Sequence, residues 1–568
     1  MNNHIRLMLK ICLILTLSSQ RSCYSASHAP AFGRSGMVVT SHELATDVGI
    51  KILKAGGNAV DAAVGVGFAL AVIFPTAGNL GGGGFMVILF PDGRSTTIDF
   101  REKAPLKATP HMYLDDNGNV IPDLSLTGYL ASGVPGTVAG LTMALEKYGT
   151  MSLKQVMAPA IEYARKGFPV SRVFSKDLER HRSVFLKFPA SAKKFMKKNG
   201  DPYHQGDIFK QPDLTRTLKL IARHGADAFY KGQIAQLIVS DMQANGGIIG
   251  MDDLSSYEAV ERPPVVGSYG EYEVISMGPP SSGGIAIIQC LNMLDSFDLK
   301  EIGYNSSTYV HTLSEVLRRA FSDRAVHLGD PDFIDVPGEH LLDKDYAREL
   351  VRTISPVAAT PSLEMSRDRQ LTGEGDHTTH YSVVDYNHMA VAVTTTINTG
   401  YGSKVVIKDA GFLMNNEMDD FTVKPGVQNT YGSLTYHANE IQPGKRMLSS
   451  MTPTIITRND KACMTVGSMG GPMIITAVLQ IILNVINFNM DIQEAVDAPR
   501  IHHQWLPDVI NYETYTFSRD VAMRLNEFGH SLHEYGGYKS EAHAILIDEN
   551  GLMTGAADPR FEGKAAGY

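Results

Sequence analysis

The sequence predicts an α+β protein. Capped, helix-periodic segments fill most of the chain before Thr378, and short apolar strands take over after it. No internal repeat or low-complexity linker divides the 568 residues. Length alone allows about two to four domains.

At the start, His4, Arg6 and Lys10 precede an apolar run over 11–17 and a small-residue zone over 25–29. This is the order and size of a secretory signal peptide, so residues 1–25 are read as a targeting segment of a secreted protein. The run is too short to span a bilayer. The later apolar stretch 474–486 contains Gln480 and Asn484 and reads as a buried helix.

Thr40 and Glu43 are spaced as a capping box, and Leu44, Val48 and Ile52 keep helical spacing until Gly56 and Gly57. Asn58 caps a second helix through Val60, Val64 and Phe68 that ends before Pro75. The tract AGNLGGGGFMVILF then crosses into a hydrophobic strand. No Lys-Ser/Thr pair follows, so its glycines read as close backbone packing beside a pocket, not a phosphate cradle. Residues 97–101, TIDFR, form a strand ending on a lone arginine, and Pro135 opens a helix that Gly149 closes. From about 150 to 350 the chain reads as mainly helical, broken by a strand at 272–277 and by the loop PPSSGG at 279–284.

Beyond Thr378 a hairpin is expected. A five-residue loop at 385–389 pairs Val384 with Ala390, sets Thr378 opposite Thr396 and puts Asn398 on the same face. A four-residue loop would bring Thr395 there instead. Further strands are expected at 411–415, 453–457 and 464–466, with helices from Pro472 and from Ile492.

Composition is that of an ordinary globular protein, 43% hydrophobic and 20% charged, with a formal net charge of −9. That balance argues against nucleic acid or anionic membranes as partners. The cluster Lys193, Lys194, Lys197 and Lys198 reads as a solvated helix face. Cys290 and Cys463 each sit in an apolar run and read as buried small hydrophobes. No Cys/His spacing suggests a metal, and no cofactor is expected.

The chemistry centres on GDHTTHYSVVD at 375–385. A threonine hydroxyl at the head of a strand is a weak nucleophile without a base beside it. If the bond before Thr378 is cut, the freed α-amino group, titrating near ~8, supplies that base. Self-cleavage between His377 and Thr378 is therefore expected. Three polar constellations follow. The stretch NNEMDDF at 415–421 suits an ammonium group or is simply an acidic turn. Ser449 and Ser450 can donate to a carboxylate or cap a turn. Gly470 and Gly471, ahead of Pro472, can form an oxyanion hole at a helix N-terminus or a tight connection that needs glycine anyway.

These residues resemble one known family. AGNLGGGGFM, DFREKAP, ASGVPGTVAG, PPSSGG, TTHYSVVD, NNEMDDF, LSSM, GSMGG, PRIHHQW and the final ADPR stand in the order found in bacterial-type γ-glutamyltransferases of the N-terminal-nucleophile hydrolase superfamily. The similarity runs from about Gly36 to Tyr568.

The resemblance implies a four-layer αββα sandwich, with a large subunit at 26–377 and a small one at 378–568 held together as a heterodimer. It implies cleavage of the γ-glutamyl amide of glutathione and related compounds, with transfer to amino acids, dipeptides or water, and suggests a periplasmic address. Thr378 resembles the nucleophile, and Thr396 the residue hydrogen-bonded to it. Arg101, Ser449 and Ser450 resemble the partners of the donor's α-carboxylate. Asn398, Glu417 and Asp420 resemble those of its α-ammonium group. Gly470 and Gly471 resemble the oxyanion hole, and Tyr431 the tyrosine of a covering loop. Some bacterial members carry Gln where Glu417 stands, and either side chain can accept from an ammonium group. A related amidase, such as a glutaryl-cephalosporin acylase or a poly-γ-glutamate-processing enzyme, is the alternative. A catalytically silent secreted binding protein is the alternative from another class.

Overall fold

Side-chain alternation along two adjacent strands sets the layers of the molecule. In the strand Thr378–Val384 and its neighbour Ala390–Thr396, Tyr381, Val383, Val391 and Val393 enter one core. They meet Met86 and Ile88 of Gly83–Leu89 there, beneath the helix Ala59–Ile73. Val384, Ala390 and Ala392 enter the opposite core, against Ile455, Val466 and Ala544 of a second sheet. The helices Gly283–Leu294, Ser307–His327 and Met473–Ile486 belong to that second core. The order helix, sheet, sheet, helix is the αββα sandwich. With both faces covered, every residue of Thr378–Val384 is buried. This computed structural model describes residues 27–365 and 378–568, apart from 425, 426, 428, 431, 433, 434 and 538. The expected signal peptide, His377 and Tyr431 therefore lie outside the described residues.

Each main sheet has seven antiparallel strands. The first runs Lys564–Gly567, Met37–Thr40, Thr378–Val384, Ala390–Thr396, Gly83–Leu89, Ser95–Asp99 and Val260–Arg262. The second runs Ala31–Gly33, Met553–Ala557, Ala542–Ile547, Lys461–Ser468, Thr454–Arg458, Tyr272–Ser276 and Val265–Tyr269. Both interleave strands from before and after Thr378, so neither part of the chain holds a complete sheet.

The hairpin takes the five-residue register: Val384 faces Ala390 and Thr378 faces Thr396. Asn58 caps Ala59–Ile73 in a reciprocal capping box with Asp61. Other expectations need correction. His42, not Thr40, caps the first helix, Glu43–Lys54, because Thr40 is still paired in a strand and its hydroxyl turns to Thr46. The helix expected at Pro135 begins two residues later, as Thr137–Tyr148. No regular strand forms at 411–415. Gly411 adopts φ +75°, and only Leu413 and Met414 make isolated bridges. The lysine cluster is not wholly solvated, since Lys194 Nζ turns inward to Gln211 and to the carbonyl of Gly411, both at 2.6 Å. Cys290 is buried, and both it and Cys463 are free thiols.

The two sheets come into close contact where Gly467 meets His380. A Cβ at Gly467 would lie 2.2 Å from the His380 ring, which is pinned by Thr394 and Ser382 at 2.8 and 3.0 Å. Forcing a side chain into such a contact costs roughly 1–3 kcal/mol or more. Gly467→Val should therefore lower the thermal midpoint by several degrees in a melting experiment, or prevent accumulation of folded protein.

Candidate active site

Arg101 is the most heavily engaged side chain of the site. It follows Phe100, whose backbone still pairs with Gly84 beyond the end of Ser95–Asp99. Its own N–H donates to Asp99 Oδ1 at 2.9 Å, and its carbonyl accepts from the Tyr257 hydroxyl at 2.8 Å. The guanidinium is fully buried. It donates to Glu417 Oε1, to Asp420 Oδ2 at 2.5 Å, to Glu102 Oε2 at 3.5 Å, and to the carbonyls of Met447 and Leu448, each at 3.2 Å. All five guanidinium hydrogens are thus engaged by protein acceptors. Burial pulls the Arg101 pKa down, but Glu417, Asp420 and Glu102 outweigh it and hold the charge in place.

The acidic turn Glu417–Asp420 is carried by the two asparagines before it. Asn415 clamps the glycine tract, donating to the Gly81 and Gly133 carbonyls at 2.8 Å each, and its Oδ1 accepts from Gly133 N–H and Glu417 N–H. Asn416 binds the Thr399 hydroxyl, and its carbonyl accepts from Asn398 Nδ2 at 2.9 Å. Asn398 adopts φ +73°, in the left-handed region that asparagine tolerates. Asp419 faces away from Arg101, to the Ser125 hydroxyl and the Thr430 N–H. Glu417 Oε2 is buried without a hydrogen-bond partner, and burial raises its carboxyl well above the ordinary range against the pull of Arg101, so a cation beside it would both find a partner and draw off the proton.

The glycine tract packs these walls against Ala390–Thr396, the strand beside Thr378–Val384. An added Cβ would fall 2.1 Å from the Thr396 carbonyl at Gly82 and 2.5 Å from Glu102 Oε2 at Gly83. Close backbone approach is therefore the reason for the glycines.

At the other end of the strand Lys461–Ser468, Gly470 and Gly471 adopt φ +126° and +55° and lead to the helix Met473–Ile486. Pro472 is the N-cap, one residue ahead of its expected place. Among the described residues neither glycine N–H finds a protein acceptor. Two free amides beside a helix N-terminus suit a developing negative charge.

These groups meet in a cavity of about 430 Å³, counting its mouth, lined by Arg101, Thr378, Thr396, Asn398, Glu417, Asp420, Ser449, Ser450 and Gly471. Gly470 adjoins it. Arg324, from the helix Ser307–His327, also lines the cavity. Sequence reasoning missed it, because nothing local separates it from Arg318 and Arg319. A second group, His311, Glu315 and His530, brings ligand-type atoms within 4.8 Å of one another. Each is already used: His311 binds His530 and the Ser355 carbonyl, and Glu315 pairs with Arg318 and Arg319. That cluster is accounted for by its hydrogen bonds.

Burial pushes the Glu102 carboxyl up to about 8 against the pull of Arg101. A carboxyl raised on folding adds stability while protonated and loses it as pH climbs from its unfolded value of 4.5 towards 8. Glu102→Gln removes that titration. Urea midpoints of the variant should gain on the wild type through this window and level off above it. A difference that is flat with pH would contradict the assignment.

The sequence model described as Gamma-glutamyltranspeptidase matches residues 45–568. A "Glutathione hydrolase proenzyme" of Escherichia coli K12 is 46% identical over 566 residues, covering 96% of this chain and 97% of that protein. The protein of the same name from Pseudomonas sp. A14 is 47% identical, covering 96% of each. Among solved structures, cephalosporin acylase from Bacillus halodurans aligns over 97% of this chain and 99% of its own, with TM-score 0.83 and 26% identity. Helicobacter pylori γ-glutamyltranspeptidase aligns over 57% of this chain and 93% of its own, with TM-score 0.57 and 51% identity. With its site geometry and these likenesses in agreement, the chain belongs to the γ-glutamyltranspeptidase family.

Proposed function

We propose that this chain cuts its own backbone between His377 and Thr378, and that the freed threonine then transfers γ-glutamyl groups from glutathione and related donors to amino acids, dipeptides or water. The observation that carries this reading is the arrangement of the cavity. Thr378 heads a buried central strand opposite Thr396, beside Gly471, and faces walls of carboxylates and of hydroxyl and guanidinium donors.

In the precursor, Thr378 Oγ attacks the His377 carbonyl, the acyl group shifts from nitrogen to oxygen, and water hydrolyses the ester. The new α-amino group takes the Oγ proton when Thr378 attacks the γ-carbonyl of a donor. Gly470 and Gly471 donate to the tetrahedral oxyanion, where one such donor supplies roughly 3–4 kcal/mol. The leaving amine takes the proton, and water or an acceptor amine then resolves the γ-glutamyl ester. Thr396 orients Thr378.

The donor's α-amino-acid end exchanges ion pairs with the site. Its ammonium group goes to Glu417, Asp420 and Asn398. Its carboxylate goes to Arg101, Ser449 and Ser450, replacing acidic partners of Arg101. The segments 26–377 and 378–568 remain one folded heterodimer, and residues 1–25 direct export to the periplasm or beyond. Glu417 Oε2, buried and without a partner, favours this donor over a glutaryl one, which offers no ammonium group.

Two measurements test the proposal. On a denaturing gel the purified wild type should run as two bands and Thr378→Ala as one inactive chain. Active wild type in a single band would overturn the scheme. In anilide hydrolysis, kcat/KM should favour a γ-glutamyl over a glutaryl substrate by at least about 10-fold, the value of one good charged hydrogen bond. Parity would return the reading to an acylase.

A further inference from the structure

The helix Ser307–His327 buries three arginines, and two of them are neutralised within the protein. Arg318 pairs with Glu315 and Asp508, and Arg319 pairs with Glu315. Arg324 differs. It is 6% exposed, and among the described residues no carboxylate comes within ion-pair distance of it. Its partners are hydroxyls: Nε donates to Ser282 Oγ at 2.9 Å and Nη2 to Ser450 Oγ at 3.0 Å. Burial lowers its pKa to about 10, opposed only by the more distant Asp420. A buried guanidinium without a counter-charge is costly, and this one faces the cavity that holds Thr378.

Its hydroxyl partners show which way the wall is polarised. Ser282 spends its own hydrogen on the Ser449 carbonyl, at 2.7 Å, and accepts from Arg324. Ser450 Oγ accepts from Arg324, and Ser449 Oγ accepts from Met451 N–H at 3.1 Å. Among the described residues neither Ser449 nor Ser450 finds a protein acceptor for its own hydrogen. Each therefore presents an O–H donor next to a cation. The PPSSGG loop, which has no part in the chemistry above, is what fixes this wall. Ser281 bridges Ser449 in parallel, and its hydroxyl donates to the Met451 carbonyl at 2.6 Å.

We infer that Arg324 is a specificity-determining residue of this site: it recognises the α-carboxylate of the donor by supplying the unspent positive charge and by turning the Ser450 hydroxyl into a donor. This rests on the γ-glutamyl reading above. Arg101 is committed to Glu417 and Asp420, whereas Arg324 has no acidic partner among the described residues to give up. The donor's carboxylate completes the pair that the fold leaves open.

The test uses ligands that differ only in the α-carboxylate. γ-Glutamyl-anilide and L-glutamate carry it, and 4-aminobutyryl-anilide and 4-aminobutyrate lack it. In the processed enzyme, Arg324→Gln should reduce the kcat/KM preference for γ-glutamyl over 4-aminobutyryl anilide by about 10- to 100-fold, the range for a hydrogen bond to a charged group. The loss should appear mainly in KM, and Arg324→Lys should recover part of it. Calorimetric Kd values for L-glutamate should rise by the same factor, with that for 4-aminobutyrate moving less than about threefold. Two bands on a gel and an unchanged melting midpoint show that the variant is folded. If Arg324→Gln does not fold, Ser450→Ala takes its place, with the same narrowing expected at about 5-fold or more. An equal loss for both ligand classes, or an unchanged preference, would overturn the role of Arg324 while the wild-type activity stands. Wild type that neither turns over γ-glutamyl-anilide nor binds L-glutamate would remove both readings together.

Discussion

One buried guanidinium organises this site. Around Arg101 the chain assembles Glu102, Glu417 and Asp420, with side-chain exposures of 0%, 1% and 16%. Burial drives all three carboxyls towards their protonated forms, and Arg101 is the charge that opposes it. Removing one partner of such a buried pair costs roughly 3–5 kcal/mol. The cation is held as firmly from behind. Asp99 accepts from the Arg101 backbone and also pairs with Arg262 and Arg446, at 2.9 and 3.3 Å. The ionic cluster therefore ties the end of one sheet to the acidic turn and the serine loop.

Absent side chains do as much as charges. Gly82 and Gly83 let the Thr396 carbonyl and Glu102 approach, Gly467 admits the His380 ring, and Gly470 sits 2.7 Å, measured from a would-be Cβ, from the Lys539 carbonyl. Each contact brings two polar or backbone layers closer than any β-carbon allows. Gly82 and Gly83 draw neighbouring strands of one sheet together, whereas Gly467 lets the two sheets touch. The strand Thr378–Val384 is set between those points.

Much of this was legible from the chain. Alternation left two loop lengths open, and the five-residue one, which sets Thr378 opposite Thr396, is the one that forms. The glycines announced close packing, and Asn58 announced its helix. What could not be read were long-range matters. That Thr40 belongs to a strand depends on its pairing with Tyr381 and Lys564, far away in sequence. That Lys194 turns inward depends on the Gly411 carbonyl. The acidic turn and the serine pair were ambiguous alone because each is one wall of a cavity that only the fold assembles. Arg324 stayed invisible because its meaning lies in what it lacks, and local sequence does not show a missing counter-charge.

The chain ends carry a consequence of their own. Tyr568 lies against the first strands of the fold, its carbonyl accepting from the Arg34 and Ser35 amides at 2.8 and 2.7 Å. A short peptide linker could join it to the segment just before Ala31 without crossing the molecule. A circularly permuted gene could then open the ring at residue 378. Translation, followed by ordinary removal of the initiator methionine, would deliver a free amino-terminal threonine directly, making maturation a matter of gene order instead of peptide-bond chemistry.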